Sequence, residues 1–282
     1  MENLSFTPKG IRREAGGLLT DNWNRALATL CLSLLALSAF LLFNQLVTGL
    51  IGMVEQIETQ TGDEAQKQTL VDYFAYYRDR GFTLSYAVSI VLAAFYFMFA
   101  SPLNLGITRW YQSLAQCGDL KVGQVFHYYR GNDRFVDALV FELSRVGRNI
   151  LVGALSFAPS IVCFGIALSA AAEGVSQRSM QMSIAGAALL LVGLLVYALV
   201  VLRWFVAKYI FVAGIRQSVG HCFSTSAQYM KGCVGKVLKV VLSFVPMLLT
   251  CVLVVPAVYV IPLYNAAMAA CAQDIIDART PA

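Results

Sequence analysis

From Ala26 to Val54 the chain reads ALATLCLSLLALSAFLLFNQLVTGLIGMV, 29 residues without one Asp, Glu, Lys or Arg. A hydrocarbon core about 30 Å thick needs about 20 apolar helical residues to cross it, so this stretch is long enough to span a bilayer. Four more charge-free stretches follow, at Gly81 to Thr108, Asn149 to Ala172, Ser179 to Leu202 and Val240 to Gln273. Only a helix or a closed barrel satisfies every backbone polar group in lipid, and stretches of this length specify helices. The fold class expected is therefore all-α, a polytopic transmembrane helical bundle.

Composition points the same way. Apolar residues make up 58% and charged residues 13% of the 282, and the mean hydropathy is +0.66; a soluble domain carries about 25% charged residues. One integral membrane domain, 1–282, accounts for the whole chain, with no room for a second globular unit. Lys9, Arg12 and Arg13 precede the first apolar run as in a signal peptide, but the run is too long for a secretory h-region, about 7 to 15 residues. It reads as an anchor. Seven cysteines stand singly with no CxxC pair, which indicates neither a disulfide framework nor a zinc site.

The last apolar stretch sets the number of spans. Its 34 residues would make one helix of about 51 Å, too long for a single crossing, whereas two crossings receive about 17 residues each, close to the lower limit. Pro256 lies near the middle, where it can end one helix and begin another. The expected spans are thus about 26–54, 82–108, 149–172, 179–202, 239–255 and 257–273, six in all, with a tight hairpin at Val254 to Ala257. The alternative is five spans.

With six spans, 17 of the 21 basic residues fall on one face. The segment Glu55 to Arg80 opposes them with six acids against three bases. The excess of Lys and Arg on cytoplasmic loops places both termini and the long loops inside, and Glu55 to Arg80 outside. Those inner loops carry helical patterns. Arg134, Asp137, Arg145 and Arg148 form a stripe opposite Phe135, Ala138, Leu139, Leu143 and Val146. Trp204, Phe205, Tyr209, Ile210 and Phe211 continue a helix beyond Arg203, and Gly220 to Lys231 reads as a short helix closed by Gly232. These are expected to be interfacial helices at the headgroup level.

No span contains an ionisable carboxylate, histidine or arginine, the groups that mark proton and ion pathways in membranes. The intramembrane polar candidates are amides: Asn44, Gln45, Asn104 and Asn265. Proline breaks lie nearby at Pro102 and Pro262. Small residues Gly153, Ser156, Ser160, Gly186 and Gly193 suit close helix packing. His127 and His221 fall on loops without ligand spacing or nearby acids, and no nucleophile elbow, metalloprotease helix or phosphate loop occurs. The sequence thus names no catalytic residue, no cofactor-binding residue, no metal ligand and no cofactor.

Two segments echo each other, Ser101-Pro102-Leu103-Asn104-Leu105-Gly106 and Ile261-Pro262-Leu263-Tyr264-Asn265-Ala266, as internal repeats do in transporter folds. Leu18-Leu19-Thr20-Asp21-Asn22-Trp23, Pro102-Leu103 with Gly106 and then Gly118 and Val125-Phe126, and Ser226 to Gly232 with Met230 also carry a resemblance, as do Pro262-Leu263-Tyr264 with Ala266-Ala267. Together they resemble the Leu-Leu-Lys-Gly-Asn-Trp, Pro-Leu-x-x-Gly, Ser-x-x-x-Met-x-Gly and Pro-Tyr-x-x-Ala segments of an uncharacterised bacterial membrane family, a domain of unknown function. Cys271-Ala272 stands where that family has Phe-Tyr. The resemblance implies a six-span protein of the bacterial plasma (inner) membrane and supplies no substrate.

Three functions are open to such a chain: a non-enzymatic scaffold, accessory or lipid-interacting component of a membrane complex, which the lack of reactive groups favours; a small uncoupled transporter or pore using the amides; or a membrane enzyme. The expected partners are the lipid bilayer and either another protein or further copies of the chain as a homo-oligomer. The basic residues face headgroups, and no nucleic acid is expected.

Overall fold

A computed structural model describes residues 7–59, 84–117, 121–172, 176–214, 218–252 and 254–279. These form α1 (Pro8–Thr20), α2 (Trp23–Thr59), α3 (Leu84–Cys117), a 3-10 helix (Val122–Tyr129), α4 (Asn132–Ala172), α5 (Ser176–Leu202), α6 (Ala207–Val212), α7 (Val219–Tyr229), α8 (Val234–Thr250) and α9 (Val254–Asp277), with no strand among them. The expected acidic outer segment lies largely outside the described residues, from 60 to 83.

Five helical stretches are long and apolar enough to cross a membrane: Trp23–Gly49, Ala87–Gln116, Asn132–Ala172, Gln177–Val212 and Val255–Asp277. The protein is a membrane-spanning helical bundle. A sixth stretch qualifies only if α7 and α8, which meet at 91°, count as one. The 41 residues of α4 extend for about 61 Å, twice the hydrocarbon thickness. Its charged residues, among them Arg134, Glu142 and Arg145, lie in its first half.

Burial is sharply uneven along these helices. Apart from α4 and α5, no described residue is buried in α2 beyond Leu30, in α3 before Ser101, or between Phe244 of α8 and Val260 of α9. Everything else converges on one end. There α9 forms the axis, burying Leu263, Ile275 and the run from Ala266 to Ala272, all small residues except Met268. The amphipathic α1 lays Ile11, Ala15 and Leu19 against it, capped by Thr7, whose hydroxyl accepts the Gly10 N–H at 3.2 Å. Phe141 stacks on Phe211 and Phe223 with ring centroids 4.4 and 5.3 Å apart, joining α4 to α6 and α7.

That end is also where the charges gather. Arg12 lies over the Phe244 ring at 4.8 Å, Arg148 over Phe223 at 4.5 Å, and Glu142, 4% exposed, pairs with Arg145 at 2.6 Å. We call it the basic end. From it project the largely uncovered outer parts of α2 and α3, a second prong of α4 and α5, and a short α8–α9 hairpin.

Local chemistry explains several boundaries. Gly232 adopts φ 81° beyond α7, the left-handed conformation expected of it after a helix C-terminus; the helix itself covers Val219–Tyr229. The helix continuing past Arg203 is interrupted by a turn and resumes as α6. On α4 the buried line is Ala138, Phe141 and Glu142, while Leu143, expected on the apolar side of the helix, is 63% exposed on the protein. The α8–α9 turn falls at Cys251–Val252, before the expected Val254 to Ala257, and Pro256 sits in the first turn of α9. A missing N–H costs nothing there, because the first four amides of a helix have no intrahelical acceptor.

The small residues of the second prong do pack closely. A Cβ on Gly193 would come within 2.5 Å of the Ser156 carbonyl oxygen, one on Gly186 within 3.2 Å of the Phe164 ring, and the Ser160 hydroxyl donates to the Gly186 carbonyl at 3.0 Å. Without a hydrophobic drive between helices in lipid, such contacts hold the pair together. Gly193→Val is expected to separate α4 from α5. Disulfide trapping between cysteines placed at Gly153 and Tyr197, a glycine facing a tyrosine ring at 3.6 Å, should drop several-fold; trapping at the parent rate would show the glycine to be dispensable.

Candidate functional site

The four amides expected inside the membrane do not assemble. Asn104 and Gln45 are exposed, Asn44 is half-buried with its Oδ1 enclosed and unpaired among the described residues, and Asn265 is half-buried. Asn265 has a partner that residue type alone does not reveal. The Tyr111 side chain hydrogen-bonds it and lies 3.5 Å from the Thr29 hydroxyl. One polar contact thus joins α2, α3 and α9. Asn44 lies about 22 Å further along α2 than Thr29 at 1.5 Å per residue, so Asn44 and Asn265 cannot share a ligand the size of an ion.

A second assembly forms around Pro102 and Gly106. Proline lacks the N–H that would bond the carbonyl four residues earlier and crowds that turn. The carbonyls on either side of Met98 gain side-chain donors: Ser101 Oγ to Phe97 at 2.6 Å, and the Tyr129 hydroxyl to Phe99. Tyr129 belongs to the 3-10 helix, which docks where α3 has no side chain. A Cβ on Gly106 would stand 1.8 Å from the Val125 carbonyl oxygen. This is the physical content of the Pro-Leu-x-x-Gly and Val-Phe segments. The glycine is needed because a backbone lies against it.

The docked 3-10 helix borders two environments. Phe126 helps to close an apolar cavity of about 330 Å³ between α2 and α3, lined also by Leu32, Ala36, Phe40, Tyr96 and Phe99. Phe40 and Tyr96 stack across it at 4.3 Å. Toward the C-terminal end of the 3-10 helix arginines collect. Arg109 hydrogen-bonds the buried Tyr128, and Arg109, Arg134 and Arg130 all act on His127. Partial burial, then those three charges in that order, hold the His127 imidazole below its ordinary pKa, so it adds no positive charge at neutral pH. Arg130 and Arg134 are exposed and pair with no described carboxylate.

A third group lies deeper at the basic end. Glu142 accepts from Arg145 Nε at 2.7 Å, and the half-buried Lys208 of α6 shares their field. A carboxylate buried this far is stable only when paired, and two cations surround it. The i, i+3 spacing of Glu142 and Arg145 was readable in the sequence; Lys208, 66 residues from Glu142, was not. Gln112, 2% exposed, has neither amide atom paired among the described residues.

His221 and Cys222 build no reactive pair. His221 Nδ1 lies 3.1 Å from the Thr225 hydroxyl, while Cys222 is fully buried. Among the described residues no group of three His, Cys, Asp or Glu could hold a metal ion. No family model, curated protein or solved structure matches the chain.

Proposed function

We propose that the chain is a non-enzymatic, lipid-interacting component of the bacterial plasma membrane, with the basic end and both termini in the cytoplasm. The observation that carries this reading is the distribution of burial. The packed core sits at one end among arginines and lysines, and the helices leaving it present uncovered apolar side chains such as Leu42, Leu155 and Leu168, 69 to 74% exposed. Surface of that kind is stable only against acyl chains or another apolar chain. The excess of Lys and Arg at the basic end supports its cytoplasmic placement.

In this reading α2, α3, α4 and α5 cross the bilayer. The short helices α1, α6 and α7 and the 3-10 helix lie at the headgroup level. The α8–α9 hairpin, to which the sequence allots two crossings, enters and returns on the same side; both arrangements leave the termini together. A transporter reading has less support, because the four amides line no common path.

Purification from membranes in mild detergent, followed by native mass spectrometry, tests the proposal. Retained phospholipid, or a protein partner in fixed stoichiometry, is the expected result. A lipid-free solitary monomer that carries solute flux in proteoliposomes would overturn it.

A further inference from the structure

Three features meet at the docked 3-10 helix. The α2–α3 cavity is lined by apolar side chains from both helices and by Phe126 of the 3-10 helix. The next residue in the chain, His127, lies in the field of Arg109, Arg130 and Arg134. Of these, Arg109 is engaged by Tyr128, whereas Arg130 and Arg134 are exposed and free of described carboxylates. Asp133 and Asp137 share that turn of α4 and are exposed, yet neither forms an ion pair with the two arginines. An apolar slot lined by a residue of a short helix that carries exposed guanidinium groups at its C-terminal end complements a molecule with a long apolar tail and an anionic head. Arginine matches phosphate geometry with paired N–H donors.

We propose that this slot is a binding site for one anionic phospholipid, with an acyl chain between α2 and α3 against Leu32, Ala36, Phe40 and Phe99 and its phosphate held by Arg130 and Arg134. The proposal rests on the lipid-interacting reading above and gives it a location and a lipid class. Tyr129 acts as a positioning residue. Its hydroxyl bond to the Phe99 carbonyl and the absent side chain at Gly106 fix the 3-10 helix so that Phe126 faces the slot. A zwitterionic lipid would gain the apolar contacts but not the net charge, so the site should discriminate by headgroup.

The test uses the full chain in nanodiscs of phosphatidylcholine alone or with added phosphatidylglycerol, each lipid supplied in trace with a diazirine in its acyl chain. Cross-linked peptides are mapped after photolysis. Wild-type protein should be labelled on the segments around Ala36 and Phe99, preferentially by the anionic lipid. Each juxtamembrane cation contributes about a five-fold preference, so Arg130→Gln with Arg134→Gln should lower the anionic preference by more than ten-fold. Ala36→Trp, which fills the slot, should abolish labelling there for both lipids. Thermal unfolding in the same discs identifies folded variants; if the double glutamine variant does not fold, the single Arg134→Gln should still lose about five-fold.

Unchanged labelling in both sets of variants would overturn the site while leaving a lipid-interacting protein, as would equal labelling of wild type by the two lipids. Cross-links between copies of the chain through Ala36 would show a second protomer in the slot and also overturn it. A wild-type protein that neither labels nor retains any lipid would remove the site and the broader reading together.

Discussion

Gly106→Ala is expected to detach the 3-10 helix from α3 and to cost the protein about 3 kcal/mol or more, the upper end of the range for overpacking. The new methyl would need the space of the Val125 carbonyl, 1.8 Å away. Its neighbour is backbone, so no rotamer change relieves the contact, and the whole segment Val122–Tyr129 must move. With it go the Tyr129 bond to the Phe99 carbonyl, the buried Val125 and Tyr128, and the stack of Tyr128 on Phe211. Gly16→Ala and Gly17→Ala are suitable controls, since a Cβ at either meets nothing within 4 Å and α1 should gain slightly from the better helix former. Thermal unfolding in detergent should show a large loss for Gly106→Ala and none for the controls. A Gly106→Ala protein that melts with wild type would show that the docking contributes nothing to the fold.

A cysteine at Val252, in a chain whose native cysteines have been replaced, is expected to resist membrane-impermeant maleimide from both sides of sealed membranes and to react fully once detergent is added. Two independent contacts set the depth of this turn. Arg12 of α1 stacks on Phe244, and only residues 245 to 250 extend α8 beyond it, about 9 Å at 1.5 Å per residue. Trp23, flanked by Asp21 and Arg25, packs on Tyr259 with ring centroids 5.2 Å apart, and α9 begins only five residues earlier. A guanidinium and the polar start of α2 belong at the headgroup level. The tip at Val252, 88% exposed on the protein, then lies within the hydrocarbon and short of the far side of a layer about 30 Å thick. Labelling from the face opposite the basic end would restore two full crossings; labelling from the basic side would place the whole hairpin outside the bilayer.

That hairpin also shows why some of the fold was legible in the sequence and some was not. The charge-free runs at Ala26, Gly81, Asn149 and Ser179 each became a long helix, because length and apolarity are local properties that bilayer thickness reads directly. The stretch from Val240 to Gln273 has the same composition and divides into two helices as expected, of 17 and 24 residues, which begin before it and end beyond it. In the proposed arrangement its depth follows from contacts with Arg12 and Trp23, more than 200 residues away in the chain, and no local pattern encodes that. The close approach of Gly186 and Gly193 to α4 was readable from small residues alone. The need for Gly106 appeared only as part of a motif, since its cause is a backbone contact made by a segment beyond the next turn.

Of the candidate site, the amides were found by residue type and the partners were missed. Asn265 is met by Tyr111, which in turn lies beside Thr29, residues with no spacing in common. Arg109, Arg130 and Arg134 were counted as a topological signal; their gathering around His127 depends on how the 3-10 helix folds back. Glu142 was not singled out in the sequence; it is buried beside Phe141, whose ring stacks on Phe211 and Phe223.

A bundle clamped at a single end also differs mechanically from one packed along its whole length. A uniformly packed bundle meets a thinner bilayer by tilting as a body. Here the buried contacts of α2 and α3 lie at the basic end, while their far parts bury no described side chain. Thinning the hydrocarbon therefore acts like a load on the tips of two levers with a common fulcrum. Their angle of splay changes while the fulcrum stays assembled, so a change in bilayer thickness reaches the basic end as a torque on the contacts around Tyr111 and Gly106.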